Sequence, residues 1–335
     1  METTIDIVLL TFLCITAMAI IHIRKLFCAI MLLGIFSLLS ACLFVTMDAV
    51  DVAFTEAAVG TGISTILLLG AMGQTNAHEK RPPYQPILAL LVVLVTGSIL
   101  IYGTMDLPAF GTPDAAIHLH VAPRYIQQSP IEVGPPNMVT SVLASYRGYD
   151  TLGETAVIFT AGIALVALLS APYKKNELAV KNEQGSLSTI QPATLHDHLI
   201  LRIIGKMFIP FILLFALYVQ FHGDYGPGGG FQAGVIFASG IILYSLIFGL
   251  DTAMRVISPT ALRLLGAAGL ILYIGVGILC ILNGGNFLDY NTLASRPVDG
   301  QHLGIFLIEL GVGTTVFAIM VTMFYAFSFR GRHST

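Results

Sequence analysis

Charge is scarce in this sequence. Asp, Glu, Lys and Arg make up 10% of its 335 residues, against about 25% in soluble domains. So few charged groups cannot cover a water-facing surface, which excludes a soluble enzyme. A disordered chain is excluded as well, because 56% of the residues are apolar and disorder requires low hydrophobicity. The net charge is −3 and no basic stripe is present, so a nucleic-acid binder is excluded. Tryptophan is absent, which leaves an interfacial aromatic belt to Tyr and Phe. Cysteine is nearly absent. Cys14, Cys28, Cys42 and Cys280 lie inside apolar stretches, with no CxxC or Cys/His ligand spacing. They read as small apolar fillers, and no metal site, redox centre or cofactor is expected. The N-terminus does not read as a cleavable signal, because Glu2 and Asp6 stand where a signal would be basic.

Long apolar runs fill the space these absences leave. A bilayer core of about 30 Å takes around 20 apolar residues per helix. Nine stretches meet that length, near 4–23, 26–47, 52–73, 85–104, 152–172, 203–221, 229–250, 262–283 and 303–328. The expected fold is therefore an all-α integral membrane protein of nine transmembrane helices. Lys and Arg set its direction. With the N-terminus outside and the C-terminus cytoplasmic, only Arg124, Arg147 and Arg296 of the sixteen basic residues fall outside. A missed or extra helix would scramble that asymmetry. Two connections are long: a proline-rich external loop over 105–151 and a polar cytoplasmic linker over 173–202. The linker divides five front helices from four back helices.

Ionisable side chains inside the apolar runs carry the functional signal, since each costs roughly 2.5–3.5 kcal/mol to insert at a helix centre. Glu56 lies about one turn inside the third run, with Gly60 one turn further on the same face. A carboxyl there can take up and release a proton; the plainer reading is an interfacial Glu still touching headgroup water. Asp150 and Glu154 share a face at i, i+4. Carboxylates that close resist joint ionisation, and Arg147 can offset one of them. Helix capping accounts well for Asp150 and less well for Glu154, which precedes a continuous apolar run. Glu309 is the deepest acid, with His302 seven residues earlier on the same face. The pair reads either as a water-linked proton relay or as a helix-packing contact.

Between the sixth and seventh runs lies Phe221-His222-Gly223-Asp224-Tyr225-Gly226-Pro227-Gly228-Gly229-Gly230-Phe231. It lacks the Lys-Ser/Thr and the preceding strand of a phosphate-binding loop. Its glycines suit a tight turn at the membrane edge that brings His222 and Asp224 to other helices. His118 and His120, like His196 and His198, are two-ligand sets too sparse for a metal. Pro210 is expected to kink the sixth helix.

These motifs resemble a known family. The segment from about 195 to 330 resembles MrpB, a small subunit of Mrp-type multisubunit cation/proton antiporters, through the turn His222–Phe231 and the run Ile308-Glu309-Leu310-Gly311-Val312-Gly313. Asp51-Val-Ala-Phe-Thr-Glu56-Ala-Ala-Val-Gly60 is similar to MbhD-like segments, and Tyr146–Glu154 is similar to MbhE-like segments. In many such systems both form the C-terminal end of MrpA. The implied organisation is 1–80 MbhD-like, 81–172 MbhE-like with its external loop, 173–202 linker and 203–335 MrpB-like. The resemblance implies a bacterial inner-membrane subunit that exchanges Na+ for H+, with MrpA/MrpD-type chains and small membrane subunits as partners. It further implies that Glu56 and Glu154 supply protonatable groups to the ion path, with Asp150, His302 and Glu309 as weaker candidates. The long antiporter-like domain that begins MrpA has no counterpart here, so a lone antiporter is not expected. A non-conducting scaffold and the membrane arm of a complex I-like hydrogenase or respiratory complex are the alternatives.

Overall fold

The computed structural model describes residues 2–75, 77–79, 86–109, 111–170 and 199–333, and gives no side-chain description at 2, 86, 170 and 330–333. Lys80, Arg81, Lys174, Lys175, Lys181, His196, Asp197 and His198, with most of the expected linker, lie outside the described residues. Among the described residues the chain is nearly all helix and forms no strand; Lys25 and His78 make an isolated bridge. In chain order the helices are α1 (Glu2–His22), α2 (Leu26–Thr46), α3 (Val50–Met72), α4 (Pro86–Thr104), α5 (Ala122–Glu132), α6 (Gly148–Ser170), α7 (Leu199–His222), α8 (Gly230–Phe248), α9 (Leu250–Val256), α10 (Pro259–Leu282) and α11 (Pro297–His333). All except α5 and α9 are long and apolar enough to cross a membrane, which makes nine among the described residues.

Three differences from the sequence reading have local causes. The stretch over 105–151, expected as an external loop, is not a bare loop. It holds α5, the short turn Met138–Thr140 and a π-helical segment Ser141–Tyr146. Pro123 sits in the first turn of α5, where a missing N–H costs nothing, and Asn137 caps the turn at 138 by accepting from Val139 N at 3.0 Å. A search for runs of some 20 apolar residues passes over such short helices. Second, α6 and α11 begin earlier than their apolar cores, at Gly148 and Pro297, because capping and first-turn residues extend a helix beyond its apolar run. Third, α3 changes register: after Glu56 it runs as a π-helix over Ala57–Ile63 before resuming as α-helix. π segments leave backbone carbonyls and side chains less regularly paired, and the Thr61 hydroxyl in this one is buried with no hydrogen bond among the described residues. Helix α7 is assigned as continuous through Pro210.

The core lies in the back part. α11 packs on α8, α10 and α6, while α8 also packs on α7 and α2 packs on α1 and α3. Tyr273, Tyr290, Ile305, Ile308 and Val316 are fully buried there. Lipid removes the hydrophobic drive between helices, so close backbone approach supplies the attraction. α10 and α11 meet at Gly269 and Gly311: a Cβ on Gly269 would lie 2.4 Å from the Gly311 carbonyl, and one on Gly311 would lie 2.7 Å from the Gly269 carbonyl. Thr315 Oγ1 donates to the Gly266 carbonyl at 3.2 Å beside that crossing. In α4, by contrast, no residue of the 87–104 window is buried within the chain.

Candidate functional site

Where α3 and α8 begin, near the start of α6 and the turn after α7, a cavity of about 210 Å³ opens between the front and back parts. Its acids are Asp51 from α3, Glu154 from α6 and Glu309 from α11. Its polar neutral residues include Thr55, Thr140, Thr151 and Gln232, and Gly228–Gly230 form part of the wall. Glu309 lies twelve residues into α11, about 18 Å along its axis at 1.5 Å per residue. It is partly buried, whereas Glu154 sits on the exposed side of α6.

The glycine-rich turn shapes the wall. Gly229 has φ +113°, a left-handed conformation that glycine adopts freely. A Cβ on the next residue, Gly230, would lie 2.0 Å from the Glu309 carbonyl, so the start of α8 rests directly on the backbone of α11. Asn137 ties the turn to both parts. Its Nδ2 lies 3.0 Å from the Gly226 carbonyl, 3.2 Å from the Gly223 carbonyl and 3.4 Å from Asp51 Oδ2. Its backbone N–H donates to the Asp224 carbonyl at 3.1 Å. Gly228 N–H donates to Asp51 Oδ1 at 3.3 Å.

The structure brings some expected residues together and separates others. Glu154 and Glu309 reach one cavity. Glu56 does not line it. Glu56 lies on the α2 side of α3, where a Cβ on Gly60 would lie 2.6 Å from both Glu56 Oε1 and Ser37 Oγ. Asp150 pairs with Arg147 at the exposed start of α6 and does not line the cavity. His302 turns away from Glu309: its Nδ1 lies 2.9 Å from Asp224 Oδ2. His222 stacks on Tyr218 with ring centroids 4.9 Å apart. Pro227 is exposed, and Phe231 lines the cavity. His118 and His120 are exposed, and no cluster of three or more metal-ligating side chains occurs among the described residues. Sequence reasoning missed Asp51, Gln232 and Asn137 as site residues. Asp51 opens the very motif that drew attention to Glu56. Asn137 follows Pro135 and Pro136 as a helix cap, a signal legible in principle.

Comparison with known proteins matches three segments to three families. Residues 200–322 match the domain related to the MnhB subunit of Na+/H+ antiporter, residues 11–77 match MbhD, the D subunit of MBH, and residues 92–184 match MbhE, the E subunit of MBH. A Staphylococcus aureus protein named as antiporter subunit mnhB2 is 34% identical over 39% of this chain and 95% of its own length. A Rhizobium meliloti protein named as the A/B subunit of a K+/H+ antiporter is 26% identical over 89% of this chain, which spans 31% of that protein's length. Among solved structures, the Mrp complex from Dietzia sp. DQ12-45-1b contains a chain with the same fold, at TM-score 0.71 and 24% identity, covering 94% of this chain and 34% of that one. The membrane-bound sulfane sulfur reductase, an archaeal respiratory membrane complex, contains a chain matched at TM-score 0.50 and 29% identity, over 71% of this chain and 97% of that one.

Proposed function

Since the chain belongs to the family of MnhB-related antiporter subunits, we propose that it is one subunit of a multisubunit monovalent cation/proton antiporter and lends protonatable carboxyls to the ion path. One observation carries this reading. The cavity is lined by one acid from each matched segment: Asp51 from the MbhD-like part, Glu154 from the MbhE-like part and Glu309 from the MnhB-like part. Acids scattered for packing alone have no reason to converge on one space, whereas a path that hands protons between groups requires it. Glu56, beside the π segment of α3, extends the set of acids toward α2, while Asp150 is held by Arg147 and stabilises the start of α6.

The corresponding organisation is 1–80, 81–172 and 203–335 joined by a linker at 173–202. The N-terminus lies outside and the C-terminus in the cytoplasm of a bacterial inner membrane, by the asymmetry of Lys and Arg. Na+ is the cation proposed. Its partners are MrpA/MrpD-type chains and small membrane subunits, which supply the rest of the path. The chain itself performs no enzymatic step. The experiment is expression of the whole gene cluster in an antiporter-deficient bacterium, with sodium-dependent proton movement followed in everted vesicles. Glu154→Gln and Glu309→Gln are expected to lower the rate at least about tenfold, at the weak end of what a positioned proton-transfer group contributes or below it, while the complex still assembles. Full activity in assembled amide variants would mean that the acids only pack and that the chain is a scaffold.

The likeness to the sulfane sulfur reductase chain favours a second reading, a membrane-arm subunit of a respiratory complex. Purified complex that carries redox-cluster subunits supports it; complex made only of membrane subunits supports antiport.

A further inference from the structure

Away from the cavity, two cations stand without an acid at one edge of the helix bundle. Arg202 and Lys206 lie one turn apart on α7 and share a face. α7 has 24 residues, about 36 Å at 1.5 Å per residue, and so overhangs an apolar core of about 30 Å by a few ångströms. Arg202 falls near the boundary of that core, and Lys206 lies one turn further in. Pro210, Leu214 and Leu217 continue the Lys206 side of the helix as an exposed apolar strip.

The Arg202 guanidinium carbon lies 5.8 Å from the centroid of the Phe248 ring at the end of α8, within cation–π range. Gly205 permits that approach, since a Cβ there would collide with Ile247 Cδ1. A ring face engages the guanidinium plane and leaves its N–H edge free, and that edge matches a phosphate in two-point contact. Neither Arg202 nor Lys206 pairs with a carboxylate among the described residues. Arg255, on the short helix α9 that follows Phe248, is exposed and adds a third cation at this end, while Asp251, the acid of α9, has an interaction of its own. Even with Asp197 counted, the stretch 197–206 carries an excess of positive charge.

Helix stability does not call for these cations. The first turns of a helix disfavour positive charge, and no acid stands in the first turn of α7. Topology asks only for cations near the ends of spans. It accounts neither for a guanidinium seated on a ring nor for a lysine inside the apolar span. A lysine at that depth reaches outward to the headgroup level or meets an anion there.

We propose that Arg202 and Lys206 hold the phosphate of an anionic phospholipid at the edge of the α7–α8 pair, with an acyl chain along Pro210, Leu214 and Leu217. Phe248 presets the guanidinium, and Arg255 adds to the local positive potential. This site is independent of the acids at the cavity, so its failure would leave the antiporter-subunit reading standing.

The test places the purified whole complex in phosphatidylcholine vesicles that carry a trace of phosphatidylglycerol with a photoreactive acyl chain. Illumination is followed by mass spectrometry of the labelled peptides. Label is expected on residues 199–217. Unlabelled phosphatidylglycerol should displace it, and excess inorganic phosphate should not. A basic residue near an anionic lipid is worth about fivefold in binding. Arg202→Gln with Lys206→Gln should therefore cut the label on this stretch roughly twenty-five-fold, in complex shown intact by native electrophoresis. Phe248→Leu keeps both charges and should lower it about two- to fivefold. Arg296→Gln, which also removes one positive charge, should leave it unchanged. If the double variant does not assemble, Lys206→Gln decides by a fall of about fivefold. Four results overturn the proposal. Unaltered labelling in the glutamine variants means that the cations hold no headgroup. Equal labelling by photoreactive phosphatidylcholine means an unselective lipid shell. Displacement by inorganic phosphate means a free-anion site. No label on 199–217 from either lipid means that protein covers this face.

Discussion

His302 Nδ1 lies 2.9 Å from Asp224 Oδ2, which joins the first turns of α11 to the glycine-rich turn after α7. The far side of the ring is covered too, since a Cβ on Gly134 would lie 2.8 Å from His302 Nε2. The pair is therefore a clasp between the 105–151 segment, the turn and the last helix. His302→Ala and Asp224→Asn should each lower the thermal midpoint of the purified complex. Residues in direct contact couple by about 0.5–3 kcal/mol, so the double variant should be no less stable than the worse single one. Strict additivity in that cycle would show that the clasp carries no energy.

Gly230 presents a harder constraint. With a Cβ position 2.0 Å from the Glu309 carbonyl, no side-chain shift relieves the contact, because the obstacle is backbone. Gly230→Ala should separate α8 from α11 and abolish assembly, visible as loss of this chain from affinity-purified complex. Gly275→Ala is the matched comparison, since nothing lies within 4 Å of its Cβ position. It should assemble as wild type does.

The helices were legible because the bilayer imposes one rule on every span: enough apolar residues to cross about 30 Å. Glu154 and Glu309 were legible for the complementary reason, as acids embedded in such runs. The cavity was not, because it arises from which faces meet. Asp51, at the very edge of its run, reads as a helix-start acid until Asn137 and Gly228 N–H are seen to hold it at the cavity. Gln232 carries no charge and so raises no alarm in a hydropathy scan; only the bond from its Nε2 to Thr55 reveals which way its oxygen faces. His302 and Glu309 share a helical face at a spacing of seven residues, yet a partner from another element, Asp224, takes the histidine. Spacing along one helix cannot report such competition.

Two buried tyrosines fasten the 105–151 segment to the back part. Tyr290 Oη donates to the Ala144 carbonyl at 3.0 Å and Tyr273 Oη to the Gly148 carbonyl at 2.8 Å. Burial pushes the Tyr290 phenol well above the ordinary tyrosine range, so it stays protonated, and hence a donor, throughout the pH range of antiport assays. Tyr290→Phe removes that donor without changing the ring and should cost about 1 kcal/mol. The expected readout is a modest fall in thermal midpoint. Since the Ala144 carbonyl, at the cavity wall, then loses that donor, a lower antiport rate should accompany it, with assembly intact.

Asp150 and Glu154 lie one turn apart on α6 and should nonetheless behave differently. Asp150 is engaged by the guanidinium of Arg147, and both side chains are at least half exposed. Exposed ion pairs contribute about 0–1 kcal/mol. Asp150→Asn should therefore shift the thermal midpoint little and leave the cavity unchanged, because Asp150 contributes nothing to its wall. Glu154 does line that wall, and no lysine or arginine is paired with it among the described residues. Measured side by side in everted vesicles, Asp150→Asn should retain most of the sodium-dependent proton movement that Glu154→Gln loses. Equal losses in the two variants would mean that the start of α6 matters as a charged helix end, and that the cavity has no special claim on its acids.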